Sequence, residues 1–492
     1  MTDLVSVIVV SRENHEADLL AVGSFEGEAP DIAGFDEASR RAVERLGARA
    51  GWRGKEEQAA QTEAGPDGPV VSLYGLGAAK DFTYAKLSRW ICRLAEEGRV
   101  GGARRLAVVL PAHTETAGRA AAERVLRTLA LSSYRFDRYQ KEAEKAGRLA
   151  ALAVVPPRGE EAVYQAGLAV AEPVARAVAF SRDLGNTPAN VASPAWMEEQ
   201  ARELAASRGL RVTVLDAAEL ERRGMGGLLA VGSGSAVPPR MIRLEVGSTG
   251  PEISLVGKGV TFDTGGISIK PANDMDDMKY DKCGACAVLA VAQAVADLEL
   301  PVRLRAYTPF AENMLSSRAY RPSDIVRCYN GKTVEIVNTD AEGRMILADA
   351  LAWAAEEKPE AMVELSTLTG SCMAALGLHA AGLFSPDDDL AGELTAAAAE
   401  GGERLWRLPL FPEFLEEMKG PHADLKNAGG RWGGASTAAA FLSQFVGDVR
   451  RWAHLDIAGV ANVKTEGPSH GATGFGVALT VNWLRRLGGS LD

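Results

Sequence analysis

Short apolar runs alternate with longer helical patterns along two stretches of this chain, and that alternation restricts its fold more than any other feature. In the first stretch, Leu4 to Val10, Val70 to Leu76 and Leu106 to Leu110 read as strands, with Tyr84 to Glu97 and Ala120 to Ser133 as helices. Such alternation predicts an α/β unit with a largely parallel sheet, closed at Pro156-Pro157. From Glu160 to Arg182 the apolar positions Val163, Leu168, Val170 and Val174 follow a helical spacing, with Pro173 expected to kink it. A second alternating block has strands near Arg211 to Leu215, Met241 to Val246, Ile253 to Val256, Arg303 to Tyr307, Val334 to Val337, Met362 to Leu365 and His454 to Ile457. Helices are expected from Ala287 to Leu298, Met345 to Glu356 and Ala438 to Val446. The expected fold is therefore α/β with two α/β domains: a small N-terminal domain (1–157), a long linker helix (158–183) and a larger C-terminal domain (184–492) around a central mixed sheet. A chain of 492 residues suits this division, at roughly 150 residues per domain as a starting point.

With 47% hydrophobic and 24% charged residues, the chain reads as a globular protein and not a disordered one. An acidic Asp3 where a secretory signal needs basic residues, and no apolar run near the ~18 residues of a membrane span, predict a cytoplasmic protein. The five cysteines are odd in number and dispersed, which fits reduced thiols. Cys283-Gly284-Ala285-Cys286 has redox-motif spacing, but it lacks a second Cys or His pair and reads as the start of a buried helix. The net charge of −11 lies entirely in the second part: residues 1–157 carry 22 basic against 22 acidic groups, the remainder 32 against 43. Residues 80–148 carry 15 basic and 8 acidic groups, which keeps a basic, nucleic-acid-binding face as an alternative.

The chemistry concentrates in two motifs. Asn338-Thr339-Asp340-Ala341-Glu342-Gly343-Arg344 follows the apolar run Thr333 to Val337 and spaces two carboxylates and a guanidinium at alternate positions. In an extended segment alternate side chains share a face, so Asp340 and Glu342 are expected to converge with Arg344 behind them. Upstream, Lys258 to Lys270 carries Asp263 in a glycine-rich turn between two lysines, and Asp281 follows just before Gly284-Ala285. Ligands gather at the carboxyl ends of strands in open α/β sheets, where Lys258, Asp263, Asp340, Glu342 and Thr367 are all expected. Four carboxylates in one pocket carry a charge near −4, which two divalent cations cancel. Oxygen donors without histidine suit Mg²⁺, Mn²⁺ or, in a carboxylate-rich dinuclear site, Zn²⁺. All six histidines lie outside these motifs, which excludes a mononuclear H-E-x-x-H site. Taken singly, each Asp or Lys here would read as solvated surface; the combination points to metal. Asp274, Asp276 and Asp277 are expected to face solvent, Asp456 to be a structural hydrogen-bonding acid and His454 a satisfied core histidine.

Both motifs, together with Arg182 to Pro188, Leu365 to Gly370 and Trp452 to Gly459, resemble the leucyl aminopeptidase family of dinuclear-metal cytosolic exopeptidases, from about residue 180 onwards. The resemblance implies that Asp263 and Glu342 bridge two metal ions, that Asp340 completes one shell, and that Lys258 and Asp281 complete the other. The ions would be Mn²⁺ or Zn²⁺, with Mg²⁺ possible at one site. A lysine ligates only as the neutral amine, so Lys258 is expected to have a depressed pKa. A water between the metals becomes the nucleophile, and the pair holds the substrate's free amine and its scissile carbonyl, which limits cleavage to the first peptide bond. Lys270 stays charged to stabilise the oxyanion, and Arg344 anchors a bicarbonate as proton shuttle. Met278, Thr367, Leu368 and Gly370 bind the substrate, with preference for Leu-like first residues. The resemblance further implies peptide substrates and a homohexamer. The chain departs from the family pattern at Lys282, where Met is usual, at Cys286, where Ala is common, and at Thr264, where Ser is usual. Two rival readings are a DNA-binding regulatory protein with secondary peptidase activity, and a dinuclear phosphoesterase, whose sites recruit histidines.

Overall fold

Successive residues along the first strands point into two different cores, and this sorting builds the first unit. Leu19, Ala21, Leu106, Val108, Leu152 and Val154 face one core, while Leu20, Val22, Ala107, Val109, Ala153 and Val155 face the other. In this computed structural model, which describes residues 2–66, 68–141, 149–464 and 470–489, the chain forms two units, Met1–Ala179 and Phe180–Asp492. The first holds strands β1 (Val7–Val9), β2 (Leu19–Ser24), β3 (Ala59–Glu63), β4 (Val70–Gly75), β5 (Arg105–Val109) and β6 (Ala151–Val155). Their order is β1-β6-β5-β2-β4-β3, with every pairing parallel except β3 with β4. Helices α2 (Tyr84–Val100) and α3 (Arg119–Ser132) cover one face and α1 (Glu37–Gly47) the other. The next helix, α4 (Glu161–Asn186), runs on through Pro173 and contains the boundary between the units.

The second unit is organised by a nine-stranded mixed sheet. Its strands are β7 (Arg211–Leu215), β8 (Arg240–Val246), β9 (Glu252–Gly257), β10 (Gly259–Asp263), β11 (Arg303–Asn313), β14 (Ala361–Ser366), β15 (Ala381–Phe384), β16 (Leu405–Arg407) and β18 (Trp452–Asp456). The order is β16-β15-β18-β14-β9-β11-β8-β7, with β10 continuing β9 alongside the far half of β11. Helices α5 (Pro194–Arg208) and α8 (Cys283–Asp297) pack on one face; α6 (Ala217–Arg223), α7 (Gly226–Gly232) and α9 (Gly343–Glu356) pack on the other. Both α8 and α9 are apolar around nearly their whole circumference, the pattern of helices buried inside a large domain.

One expected strand lies elsewhere. The run predicted over Val334 to Val337 forms only the short β13 (Thr333–Glu335), which pairs with β12 (Ile325–Arg327) and β17 (Leu425–Lys426) in a separate three-stranded sheet. No helix among the described residues is long and apolar enough to cross a membrane.

Candidate metal centre

Strands β9, β14 and β18 run parallel and paired, and the first site residues follow directly on the carboxyl ends of β9 and β14. Lys258 occupies the single position between β9 and β10. Its backbone N–H still donates to Leu365 of β14, and its side chain is buried. Between Val260 and Phe262 the β10–β11 register slips by one residue, a bulge that re-aims the strand end just before Asp263. The turn beyond requires Gly265, at φ +84°, which places its N–H 2.8 Å from Asp263 Oδ1. Lys270 returns from this turn with its Nζ 2.9 Å from Asp263 Oδ2 and 2.5 Å from Asp340 Oδ1.

Asp340 and Glu342 do meet Asp263, but not by strand alternation as expected. Residues 338–341 form a loop, and Glu342 has φ −77° and ψ −36°, a helical conformation at the N-cap of α9. The loop is shaped by side-chain hydrogen bonds. Asn338 Oδ1 accepts from Asp340 N at 2.9 Å, and Asn427 accepts from the N–H groups of Val337 and Asn338 while donating to Asn338 O. As a result, oxygens of Asp263, Asp340 and Glu342 lie within 4.8 Å of one another. Arg344 lies in the first turn of α9 and is buried.

Asp281 joins through Lys258, whose Nζ is 2.7 Å from Asp281 Oδ1, 2.9 Å from Glu342 Oε1 and 2.9 Å from the carbonyl of Thr367. Gly343 makes this approach possible: a Cβ there would stand 2.5 Å from Lys258 Cε. Thr367, just past β14, donates from Oγ1 to Asp281 Oδ1 at 2.8 Å. Beside it, half-buried Leu368 and exposed Gly370 form the turn into α10 (Gly370–Leu376), and Met278 lies half-buried in the 3₁₀ helix Met275–Tyr280.

Several residues behind the centre carried no motif. Asn313, at the end of β11, donates to Asp263 Oδ1 at 2.8 Å and to Thr339 O at 3.0 Å. Tyr320 donates to the same Thr339 carbonyl. Asn427 is isolated in sequence, and nothing local marks it. Asp456 accepts from Leu368 N at 3.2 Å and from Thr369 Oγ1 at 2.7 Å, so it organises the turn beside the centre. His454 pairs with Glu364 and stacks on Phe384, wholly buried in the sheet. Asp274 and Asp277 pair with Lys464, while Asp276 is exposed.

The electrostatics follow from burial and crowding. Burial, with Glu342 adding to it, pushes the Asp263 carboxyl up to about 6, and burial pushes Asp281 well above the carboxylate range. Glu342 stays below its usual value because Lys258 and Lys270 together outweigh its burial. The expected depression of Lys258 is reversed among protein groups alone. Burial lowers its pKa, but Asp281, Glu342 and Asp263 more than compensate, and the net shift is upward. Burial lowers the Arg344 guanidinium to about 10.

These residues fit a divalent cation. Asp281 Oδ2 and Glu342 Oε2 are buried without a hydrogen-bond partner, and buried carboxylate oxygens are rarely left so. The remaining donors are carboxylates and one amine, a set for hard ions. Arg344 Nε is likewise buried and without a partner, as suits a group that binds an anion.

Comparison with known proteins gives a consistent picture. The cytosol aminopeptidase family's catalytic domain matches residues 179–481, and the same family's N-terminal domain matches residues 21–143. A probable cytosol aminopeptidase of Geobacter sp. (strain M21) is 41% identical, over 97% of this chain and 99% of its own length. One from Syntrophotalea carbinolica is 44% identical over 87% of each. Among solved structures, the bottromycin maturation enzyme BotP in complex with Mn superposes with a TM-score of 0.83 at 37% identity, covering 96% of this chain and 100% of that one. A mutant of tomato leucine aminopeptidase gives 0.85 at 32% identity, covering 98% and 96%. With both family domains matched and identities above 40% across most of its length, the chain belongs to the cytosol aminopeptidase family.

Proposed function

We propose that this protein is a two-metal aminopeptidase that hydrolyses the first peptide bond of peptides with Leu-like or other apolar N-terminal residues. The observation that carries the reading is the convergence of Asp263, Asp340 and Glu342 within 4.8 Å, beside two buried carboxylate oxygens without partners. Asp263, Glu342 and Asp340 would hold one ion, and Lys258 and Asp281 would complete the shell of a second, with Asp263 and Glu342 shared. Mn²⁺ and Zn²⁺ suit the donors, with Mg²⁺ at one site. When bound, the ions supply Lewis acidity and a water acidified into a nucleophile.

The chain's own residues do the rest. Lys270 holds a full positive charge, since Asp263 and other carboxylates outweigh its burial, and it sits at the rim of the cluster to receive the developing oxyanion. Arg344 offers a planar fork for bicarbonate, which would carry the proton from water to the leaving amine. Leu368 and Gly370 would present backbone groups to the peptide, and Met278 with Thr367 would line the pocket for the first side chain.

The deciding experiment is metal stripping. Chelated protein is expected to lose hydrolysis of aminoacyl anilides and to regain it with Mn²⁺, Zn²⁺ or Mg²⁺, fastest for Leu-like substrates with a free amine. Activity that survives chelation, or equal cleavage of N-acetylated substrates, overturns the reading.

The protein is further proposed to be a cytoplasmic homohexamer. The structure does not favour the DNA-binding alternative. Within the segment 80–148, of which residues 142–148 lie outside the described residues, Lys86, Arg93, Arg99, Arg105, Arg119, Arg124 and Arg135 all pair with carboxylates.

A further inference from the structure

Lys282 follows Asp281 directly, is wholly buried, and turns away from the metal centre. Its Nζ donates to the backbone carbonyls of Gly185 at 3.1 Å, of Thr187 at 3.1 Å, and of Lys279. An ammonium group has three donors, and this cage uses all of them. Gly185 lies in the last turn of α4 and Thr187 just beyond it, where carbonyls have no intrahelical partner and the helix dipole is negative. Lys279 belongs to the 3₁₀ helix that leads into Asp281.

The platform to which Lys282 is tied is itself fixed. Asn186 Oδ1 accepts from Ala472 N at 2.8 Å, and Arg182 Nε donates to Ala472 O at 2.9 Å. A Cβ on Gly185 would stand 2.7 Å from Ala472 Cβ and 3.2 Å from Cys283 Sγ, so the end of α4 is packed directly against the start of α8. Two neighbouring side chains therefore leave one short turn in opposite senses. Lys282 is locked into a carbonyl cage, and Asp281 extends to Lys258 Nζ and Thr367 Oγ1.

We propose that Lys282 is a positioning residue that fixes residues 279–282 so that Asp281 reaches the metal centre already oriented. The inference rests on the two-metal reading above and adds to it a structural role for a residue outside the ligand set. A methionine could fill the space of Lys282, but it brings no donor to the three carbonyls. The turn could then relax, and Asp281 with it, while Asp263, Asp340 and Glu342, held from β10, β11 and the 338–341 loop, would be undisturbed.

The test is calorimetric titration of metal-stripped wild type, Lys282→Met and Lys282→Gln with Mn²⁺, with far-UV circular dichroism and thermal melting on each. Wild type is expected to bind two ions. In Lys282→Met one step is expected to weaken about 10–100-fold, the usual effect of removing a group that orients a ligand, with the other step within about twofold. Lys282→Gln, which keeps two N–H donors, is expected to recover part of the loss. The Mn²⁺ concentration for half-maximal activity should rise with the weakened step, while kcat at saturating Mn²⁺ returns towards wild type. Unchanged binding in Lys282→Met, equal weakening of both steps, or failure of both variants to fold overturns the assignment. A wild type that binds fewer than two ions overturns the two-metal reading and this one with it.

Discussion

Lys270 and Glu342 bring opposite charges into one cluster, and their removal should fail in different ways. Lys270 sits 20% exposed between Asp263 and Asp340, so Lys270→Ala removes a cation from a hydrated rim and leaves the core intact. If it stabilises the oxyanion, kcat on a Leu-anilide should fall about 10²–10³-fold with KM and melting temperature little changed. Glu342 is 2% exposed and pairs with Lys258, so Glu342→Ala leaves a buried ammonium with only one close carboxylate. Hydrolysis should be abolished and metal uptake impaired, with the secondary structure retained by circular dichroism. Near-wild-type turnover in either variant would remove that residue from the mechanism.

At the scale of elements, α9 carries both Arg344, which faces the centre, and Asp349, which does not. Asp349 accepts from Leu228 N and Tyr329 N, both at 2.8 Å, and so ties α7 and the turn after β12 to α9. Burial pushes its carboxyl up to about 7 despite these donors, and the neighbouring Cys328 thiol, itself pushed well up by burial, stays neutral. Because the folded value is raised, the folded chain holds a proton between about pH 4 and 7 that the unfolded chain has released. The stability this contributes is full below pH 4 and is lost as pH rises through 7, roughly 4 kcal/mol across the window. Asp349→Asn should flatten that part of the stability profile, measured by urea melts from pH 4 to 8, at a constant cost of about 1–3 kcal/mol for the mispaired amide. An unchanged slope would show that other groups set the profile.

At the scale of the whole molecule, the second unit leaves Leu378, Trp406, Phe411 and Trp432 between 60% and 75% exposed. Assembly into a hexamer would cover such surface, and native mass spectrometry should find a six-subunit particle. A protein that stays monomeric at micromolar concentration contradicts the proposal. The same preparation should pass a DNA column at low salt, since many basic side chains of the segment 80–148, Arg99, Arg124 and Arg135 among them, are already paired with carboxylates. Retention that falls steeply with added salt would instead revive the DNA-binding reading.

The sequence by itself determined the family and most of the regular elements, because both are written locally. Apolar periodicity marks β7, α2 and α9 within a few residues, and the placing of Lys, Asp and Glu among glycines marks the residues proposed as ligands. It did not reveal β2, one of the two central strands of the first sheet. Nor did it show that Glu342 begins a helix, for an alternating pattern of charges is compatible with a strand or a loop until packing chooses. Only the tertiary structure decided which residues meet. Asn313 reaches Asp263 across 50 positions and Asn427 holds the 338–341 loop from about 90 positions away. Lys282 turns from the carboxylate cluster because the carbonyls of Gly185, Thr187 and Lys279 accept its ammonium on the other side. Such partners are set by strand order and helix ends, whose pairing energy is nonlocal, and no short window of sequence contains them.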